Sequence, residues 1–393
     1  MSLQVLFVDD EPNVLDGLRR TLREFRREWD MRFATGGPAA LAALDQAPAD
    51  VVVSDMRMPG MNGDELLAEV RARHPQTVRI VLSGECTREA MVRVTSLAHR
   101  VLTKPCDPVE LRVAIQQAFA LRGLLLSPRL SALAGRLQSV PSRPDLYARI
   151  RAVLEQPNYS LSELADICAR DAGVSAKLIQ LANSALFGST RPTHCAFEAV
   201  SRIGAEMVRA LILAEGVLTA FDARSIHPFS VSDVWPHSES VALLAARIVN
   251  REAPRAAWGG LAPAAGTLHD IGRLILACVE PAAYVEVLRR VQAGAMLVSA
   301  EADAFGATHA TVGAYLLGLW GVPSSIVEAV AWHHNPGGRP ADRFGLVTAV
   351  HAAASLLYPD DGGGPDLAYL NRLELGDRLP AWATLSADLG GGL

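Results

Sequence analysis

Val51-Val52-Val53 is an unbroken run of β-branched residues, and Ser54-Asp55-Met56-Arg57-Met58-Pro59-Gly60-Met61-Asn62-Gly63 follows it directly. A strand with no polar alternation is buried on both faces, which calls for helices on either side of a parallel sheet. The Pro-Gly and Asn-Gly pairs make the next stretch a loop. Asp64 is placed to cap the helix that follows, with Leu66, Leu67 and Val70 inside. Asp55 is thus expected at the carboxyl end of a central strand, where open α/β sheets collect their ligands.

The flanking segments alternate in the same way. Gln4 to Val8 reads as a strand ending in Asp9-Asp10-Glu11-Pro12, and Pro12 opens a helix with Val14, Leu15, Leu18 and Leu22 on one face. Strands are expected over Met31–Thr35, Val78–Leu82 and Arg100–Leu102. Helices are expected over Ala39–Leu44, Leu66–Arg73, Arg88–Leu97 and Val109–Arg122. The alternation predicts a doubly wound, five-stranded parallel sheet.

The strand ends carry the chemistry: Asp9 and Asp10 after the first, Asp55 after the third, Ser83-Gly84 after the fourth, Thr103-Lys104-Pro105 after the fifth. Carboxylates crowded together repel unless a cation joins them, and hard Mg²⁺ suits an oxygen-rich pocket. A carboxylate so placed can attack a phosphoryl group while metal and lysine neutralise the developing charge. Ser83 can hydrogen-bond the phosphoryl oxygens and Lys104 can pair with one.

In this order and spacing, residues 3–122 resemble a response-regulator receiver domain. The resemblance implies Asp55 as phosphoacceptor and Mg²⁺ held by Asp9, Asp10 and Asp55 with the Arg57 carbonyl. It also implies Ser83 and Lys104 as readers of the phosphoryl group, a cis Lys104–Pro105 bond, and a sensor histidine kinase as phosphodonor. The family's aromatic switch position, three before the lysine, is Val101 here, so no ring flip can report phosphorylation.

Beyond residue 125 no strand periodicity is evident. The leucines of Gly123-Leu124-Leu125-Leu126-Ser127-Pro128 either extend the last receiver helix into a homodimer or interdomain seam, or end it on its own domain. Ser160-Leu161-Ser162-Glu163 is a capping signal before Leu164, Ile167 and Cys168. Helices are expected over Val174–Asn183, Glu198–Ile203, Ala205–Leu218, Ser238–Val249, Gly266–Cys278, Ala282–Val291, Thr308–Leu319, Ser324–Trp332 and Phe344–Leu357. This second domain reads as all-α. Pro359-Asp360-Asp361-Gly362-Gly363-Gly364-Pro365 reads as a flexible loop. Short helices over Leu367–Leu373 and Trp382–Leu389 are expected to close the domain, and Gly390–Leu393 to fray.

Four phrases in this region resemble the HDOD domain, a relative of the HD phosphohydrolases: Ala182-Asn183-Ser184-Ala185-Leu186-Phe187-Gly188, Ala199-Val200-Ser201-Arg202-Ile203-Gly204, Leu268-His269-Asp270-Ile271-Gly272 and Leu319-Trp320-Gly321-Val322-Pro323. HD enzymes hold divalent metals with His and Asp from several helices. By that resemblance His237, His269, Asp270, His309, His333 and His334 form a candidate second metal site, with Asp233 and His351 as outer candidates. Imidazole with carboxylate suits Fe, Mn, Zn or Ni. The final Asp of the HD enzymes falls near Ala354, which cannot bind a metal. Arg273 stands where related cyclic-dinucleotide phosphodiesterases carry a lysine, and their Gly-Tyr-Pro signature is absent after His333-His334-Asn335-Pro336. His269, Asp270, His309 and His333 are nevertheless expected in one polar pocket, because burying them singly is costly.

The domains expected are a receiver over 1–122, a linker and start of the helical domain over 123–140, an HDOD domain over 141–360 and a tail over 361–393. A 393-residue chain with 50% apolar residues, 20% charged residues and a net charge of −5 is globular, without a nucleic-acid footprint. Cys86, Cys106, Cys168, Cys195 and Cys278 form no CxxC pair. No signal peptide or membrane span is read, so a cytoplasmic location is expected. The expected function is a two-component response regulator whose HDOD output acts by protein contact on a downstream signalling protein. The competing class is a receiver-regulated, metal-dependent phosphohydrolase acting on a nucleotide or cyclic dinucleotide. Direct DNA binding is not expected.

Overall fold

A computed structural model of the chain describes residues 2–84, 88–122, 137, 140–156, 158–184, 187, 192–213, 218–220, 226–227, 233–339, 343–387 and 389. The segment Gly123–Pro128, and with it the seam considered there, lies outside the described residues, as do Cys86, Ala185, Leu186, Gly188 and Gly390–Leu393.

The first part is the expected doubly wound sheet. Strands β1 (Leu3–Val8), β2 (Trp29–Ala34), β3 (Val51–Asp55), β4 (Val78–Ser83) and β5 (Arg100–Thr103) are all parallel, in the order β2-β1-β3-β4-β5. Helices α1 (Pro12–Thr21), α2 (Gly37–Gln46), α3 (Gly63–Arg73), α4 (Arg88–Leu97) and α5 (Pro108–Arg122) connect them. β3 is buried at every position, as its unbroken apolar run requires. One apolar core lies against α2, α3 and α4. The other lies against α1 and α5 and runs on without a break into the helical part. The cap of α3 differs from expectation. Asn62 occupies the capping position and its N–H donates to Glu65 Oε2 at 2.9 Å, while Asp64 lies inside the first turn and pairs with Arg93 Nε at 3.0 Å.

The helical part is not purely α. β6 (Val140–Ser142) pairs in parallel with β7 (Leu218–Ala220). Three-residue strands are too short to display a two-residue period, so the pattern could not announce them. Between and after them come α6 (Pro144–Leu154), α7 (Leu161–Ala169), α8 (Ala172–Ala182), α9 (Ala196–Ile203), α10 (Ala205–Leu213), α11 (Val234–Glu252), α12 (Ala262–Leu268), α13 (Ile271–Val279), α14 (Pro281–Gln292), α15 (Leu297–Phe305), α16 (His309–Leu319), α17 (Ser324–Trp332), α18 (Leu346–Leu357), α19 (Pro359–Gly362), α20 (Leu367–Arg372) and α21 (Leu379–Ser386). α8 is buried at all its positions, which makes it a central helix rather than an amphipathic surface one. The buried Asp171 carboxylate caps it, accepting from Val174 N at 2.9 Å, and ties it to β6 through Ser142 Oγ and Arg143 N, both at 2.6 Å. The chain's last helices belong to the core: Trp382 is fully buried and donates to Glu252 Oε1 at 2.9 Å.

Two expectations need correction here. Gly266–Cys278 is not one helix but two, α12 and α13, broken at His269-Asp270. The break lets two adjacent side chains face the same interior, which an unbroken helix forbids. The Pro359–Pro365 segment is not a plain loop: it forms the short turn α19 and carries Asp361 inward.

α13 also makes the closest backbone approach in this region. A Cβ on Gly272 would fall well inside van der Waals contact of the His309 carbonyl, whereas one on Gly17, within α1, would meet nothing within 4 Å. Gly272→Ala is therefore expected to cost about 1–3 kcal/mol through forced separation of α13 from α16. Gly17→Ala is expected to be neutral or to stabilise by up to about 1 kcal/mol. Thermal unfolding of the two variants checks this; equal melting temperatures would contradict the packing.

Candidate functional site

The strand order reverses between β1 and β3, and the register pairs Val8 with Ser54. Asp9 and Asp55 therefore emerge side by side at the switch point of the sheet. Both are buried, while Asp10 is partly buried. Lys104 Nζ lies 2.8 Å from Asp9 Oδ2 and 2.6 Å from Asp55 Oδ1, bridging the two carboxylates. Their other oxygens accept backbone N–H groups: Glu11 N at 2.9 Å on Asp9, and Arg57 N at 3.1 Å on Asp55. Burial alone would lower the Lys104 pKa, but its hydrogen bonds to Asp55 and Asp9 outweigh this and raise it. Lys104–Pro105 is cis, and Lys104 N donates to the Ser83 carbonyl at 2.8 Å, joining the ends of β4 and β5 beside the acids. Ser83 and Val101 are both buried.

The second cluster is built from four places in the helical part. His237 sits in the first turn of α11, His269 and Asp270 at the α12–α13 break, His309 at the start of α16, and His333-His334 just after α17. Two overlapping sets result, Asp270–His309–His333–His334 and His237–His269–Asp270, with Asp270 common to both. His309 Nε2 is 3.2 Å from Asp270 Oδ1, and His333 Nε2 and His269 Nε2 are 3.6 and 3.4 Å from the same oxygen. His237 Nε2 is 3.4 Å from Asp270 Oδ2 and 3.2 Å from His269 Nε2, and His334 Nε2 is 2.9 Å from His309 Nε2.

The outer hydrogen bonds assign the tautomers. His269 Nδ1 donates to the Gly266 carbonyl at 2.7 Å, His333 Nδ1 to the Val330 carbonyl at 2.8 Å, and His309 Nδ1 to Glu301 Oε2 at 2.7 Å. At His269 and His333 the Nε2 is thereby turned inward as a lone-pair donor, the arrangement that outer carbonyls give to metal-ligating histidines. His333 Nε2 is buried and meets no hydrogen-bond partner. Burial pulls down the pKa of His237, to about 3, and those of His269, His333 and His334. Burial would also lower His309, but the Glu301 and Asp270 carboxylates overcome it and raise the pKa to about 10. Burial would raise Asp270, yet His269, His309 and Arg273 hold it well below the usual carboxylate range. The set is thus charged once at Asp270 and once at His309, with neutral imidazoles around them.

Three participants were not legible in the sequence. Glu301 is fully buried and accepts from both the backbone N–H and Nδ1 of His309, at 2.8 and 2.7 Å. Its only signal was an acid in the apolar run Leu297–Ala302. Asp361 brings Oδ2 to 3.3 Å from Arg273 Nη1 and 3.7 Å from His237 Nδ1, and Tyr358 stacks on His237 with centroids 3.8 Å apart. Ala354 does line the cavity, and the carboxylate missing there arrives from the α19 turn instead. Arg273 Nη1 also lies 2.9 Å from Asp270 Oδ2, so one guanidinium serves both acids. Of the outer candidates, Asp233 is exposed at the head of α11 and joins neither set. His351 is buried but has both nitrogens engaged, Nδ1 with the His333 carbonyl at 2.6 Å and Nε2 with Asp366 N at 2.9 Å. The space between the ring nitrogens and Asp361 is about 10 Å³, enough for one ion or one water and for no nucleotide.

Two families match the chain, the response regulator receiver domain over residues 5–116 and the HDOD domain over residues 140–336. A hydrogenase transcriptional regulatory protein of Cupriavidus necator, HoxA, is 39% identical over 122 residues, 30% of this chain and 25% of that protein. An uncharacterised protein of Treponema pallidum is 23% identical over 240 residues, 60% of this chain and 45% of that protein. The chain thus spans less than half the length of either relative. Among solved structures, the MmoQ response regulator of Methylococcus capsulatus aligns with 24% identity and a TM-score of 0.48, covering 64% of this chain and 98% of that one. No helix among the described residues is long and apolar enough to cross a membrane. With the receiver family matched across the parallel sheet and the HDOD family across half the chain, the protein belongs to the HDOD family and carries an N-terminal response-regulator receiver domain.

Proposed function

We propose that the chain is a cytoplasmic response regulator in which a sensor histidine kinase phosphorylates Asp55 and the HDOD domain passes the signal on by protein contact. The observation that carries this reading is the Lys104 ammonium bridging Asp9 and Asp55 at the switch point. A carboxylate there can act as nucleophile toward phosphorus only if the charge that develops is answered by cations already in place. Lys104 supplies one such charge and would pair with the phosphoryl oxygens after leaving the carboxylates. Asp9, Asp10 and Asp55 offer hard oxygen donors alone, a set that fits Mg²⁺, which would supply the remaining positive charge. Ser83, at the end of the neighbouring strand β4, is the candidate to receive a phosphoryl oxygen. Val101 has no ring to flip, so the response is read through the Ser83 loop and the α4–β5–α5 face.

A second reading, metal-dependent phosphohydrolysis, is favoured by the convergence of Asp270 with imidazole nitrogens whose lone pairs face inward. Neutral nitrogens with a carboxylate fit a first-row transition ion, held by His237, His269 and Asp270, or by Asp270, His333 and His334 with His309 joining on loss of its Nε2 proton; bound there it would polarise a phosphoryl oxygen or activate a water. Two features weigh toward signalling instead. Arg273 already answers Asp270 and Asp361. The space left is ion-sized, with Tyr358 and Asp361 in its wall.

Two experiments test these readings. Asp55→Asn is expected to abolish labelling by acetyl phosphate, which in the unsubstituted chain should require Mg²⁺; undiminished labelling of the variant would move the acceptor elsewhere. For the second cluster, elemental analysis and melting curves with and without chelator are compared for the wild type, His269→Ala and Asp270→Ala. A bound ion predicts loss of metal and of thermal stability together; a metal-free network predicts loss of stability alone and no effect of chelator. In the metal-free network Glu301→Gln should destabilise by about 3 kcal/mol, because it leaves the buried His309 charge without its partner. A Glu301→Gln melting curve that overlays the wild type would contradict that pairing.

A further inference from the structure

Lys104 and Lys177 are the only lysines in the chain; apart from histidine, every other basic side chain is arginine. Arginine cannot give up its proton inside a protein, whereas lysine can when buried. Lys104 belongs to the acid cluster. Lys177 lies far from it in sequence, in the middle of the fully buried helix α8, where the receiver docks on the helical domain.

The docked face is made by α4, β5 and α5 of the receiver, with α5 packed on α16 and α4 on α10. Its polar contacts are specific. Lys177 Nζ lies 3.3 Å from the Thr95 carbonyl in the last turns of α4, 3.0 Å from Gln180 Oε1, and 4.5 Å above the Trp320 ring. Gln180 Nε2 reaches the carbonyls of Ala98 and His99 at 3.5 and 3.3 Å. Arg100 Nη2 donates to the Gly318 carbonyl at 3.1 Å, near the carboxyl end of α16. Among the described residues no carboxylate pairs with Lys177 or Arg100. The other ionisable groups at this face are Arg79 on β4, with Arg71 behind it, His99 before β5, Tyr315 on α16, and Glu110 on α5, which lines the cleft beside Arg100 and Gln180 without pairing with either cation. Arg79 is buried, donates to the carbonyls of Leu97 and Thr77 at 2.7 and 3.3 Å, and faces His99 Nε2 at 3.1 Å.

We propose that Lys177 is a release element for the docked domains: the interface holds its amine against neutral acceptors and beside a guanidinium, and separation returns it to water as a full ammonium. The device is independent of whether Asp55 accepts phosphate. Burial, and after it the Arg79 charge, bring the Lys177 pKa down from 10.5 to about 7. The docked form therefore binds fewer protons than the separated form between those values, so docking strengthens as pH rises from about 7 toward 10.5. Below that window the lysine contribution is constant. His99, also held below its ordinary 6.5 by burial and then by Arg79 and Lys177, faces Arg79 with both ring nitrogens inside the receiver, so the dependence on docking is that of Lys177.

With two lysines in the chain, side-chain NMR of lysine-labelled full-length protein resolves Lys177 directly, and Lys177→Met assigns it. The expected result is a Lys177 resonance titrating well below the ordinary lysine range. Lys177→Met keeps the apolar stem and removes the charge; it should melt above the wild type at pH 7, with the difference shrinking toward pH 10. The docking constant of the wild type should change by up to about tenfold per pH unit across the window. Lys177→Arg, locked in the charged form, should open the domains and enlarge the radius of gyration in small-angle scattering throughout this range. A Lys177 signal titrating in the ordinary lysine range while the wild-type scattering stays compact would overturn the proposal. So would a Lys177→Arg variant as compact as the wild type. The wild-type titration decides the matter even where a variant does not fold.

Discussion

A carboxylate shut away from water has to be answered by its own protein, and Asp270 shows how much structure that requires. Its two oxygens draw in four imidazoles and one guanidinium. Those side chains come from α11, the α12–α13 break, α13 itself, α16 and the end of α17, so five helices, packed together by one apolar core, contribute to satisfying one charge. The close backbone contact at Gly272 brings His309 near enough to take part. Glu301 then carries the demand one layer outward, because a positive His309 in an apolar interior needs a partner of its own.

The receiver solves the same problem with fewer parts. Asp9 and Asp55 lie abreast because β1 and β3 are adjacent and parallel, and one ammonium spans them. In the phosphotransfer proposed above, Lys104 exchanges those carboxylates for phosphoryl oxygens. Its neighbour in sequence, cis Pro105, leads toward α5, and α5 packs on α16, whose first residue is His309. The two charge-satisfying centres are therefore linked through the docked face by a short series of packed elements. What distinguishes that face is the unneutralised Lys177 within it, which keeps the docked arrangement sensitive to charge. Physical coupling still requires an element with two arrangements, and the receiver–helical interface is the candidate for it.

The receiver was almost wholly legible in the sequence because each strand was a short apolar run that ended in its own polar signature. Strand and helix spans follow from that alternation, the strand order does not, and the acids at the ends follow from the sheet. The helical part was less legible for physical reasons. α8 and α16 are buried on nearly every side, so they show no amphipathic stripe to orient them. The β6–β7 pair is too short for a period. The α12–α13 break carries no Pro or Gly at His269-Asp270 to announce it, and it exists to turn both side chains inward. Asp361 lay in a Gly-rich stretch that reads as loop, and its role depends on where α19 folds back rather than on spacing along α18. Glu301 was an acid in an apolar helix, and only the proximity of His309 gives it meaning. Lys177 was likewise unremarked, because a single lysine in an amphipathic pattern reads as surface until the receiver is seen to cover it.

The central claim is that a change of charge at Asp55 reaches the helical domain through the docked face. Hydrogen–deuterium exchange of the full chain, with Mg²⁺ present and with beryllofluoride added or withheld, tests this most directly. The account predicts that beryllofluoride alters amide protection at both sides of the face, in the Thr95–Arg100 segment and in α8 and the carboxyl end of α16. Changes confined to the Asp9, Asp55 and Lys104 loops, with α8 and α16 exchanging as before, would contradict it.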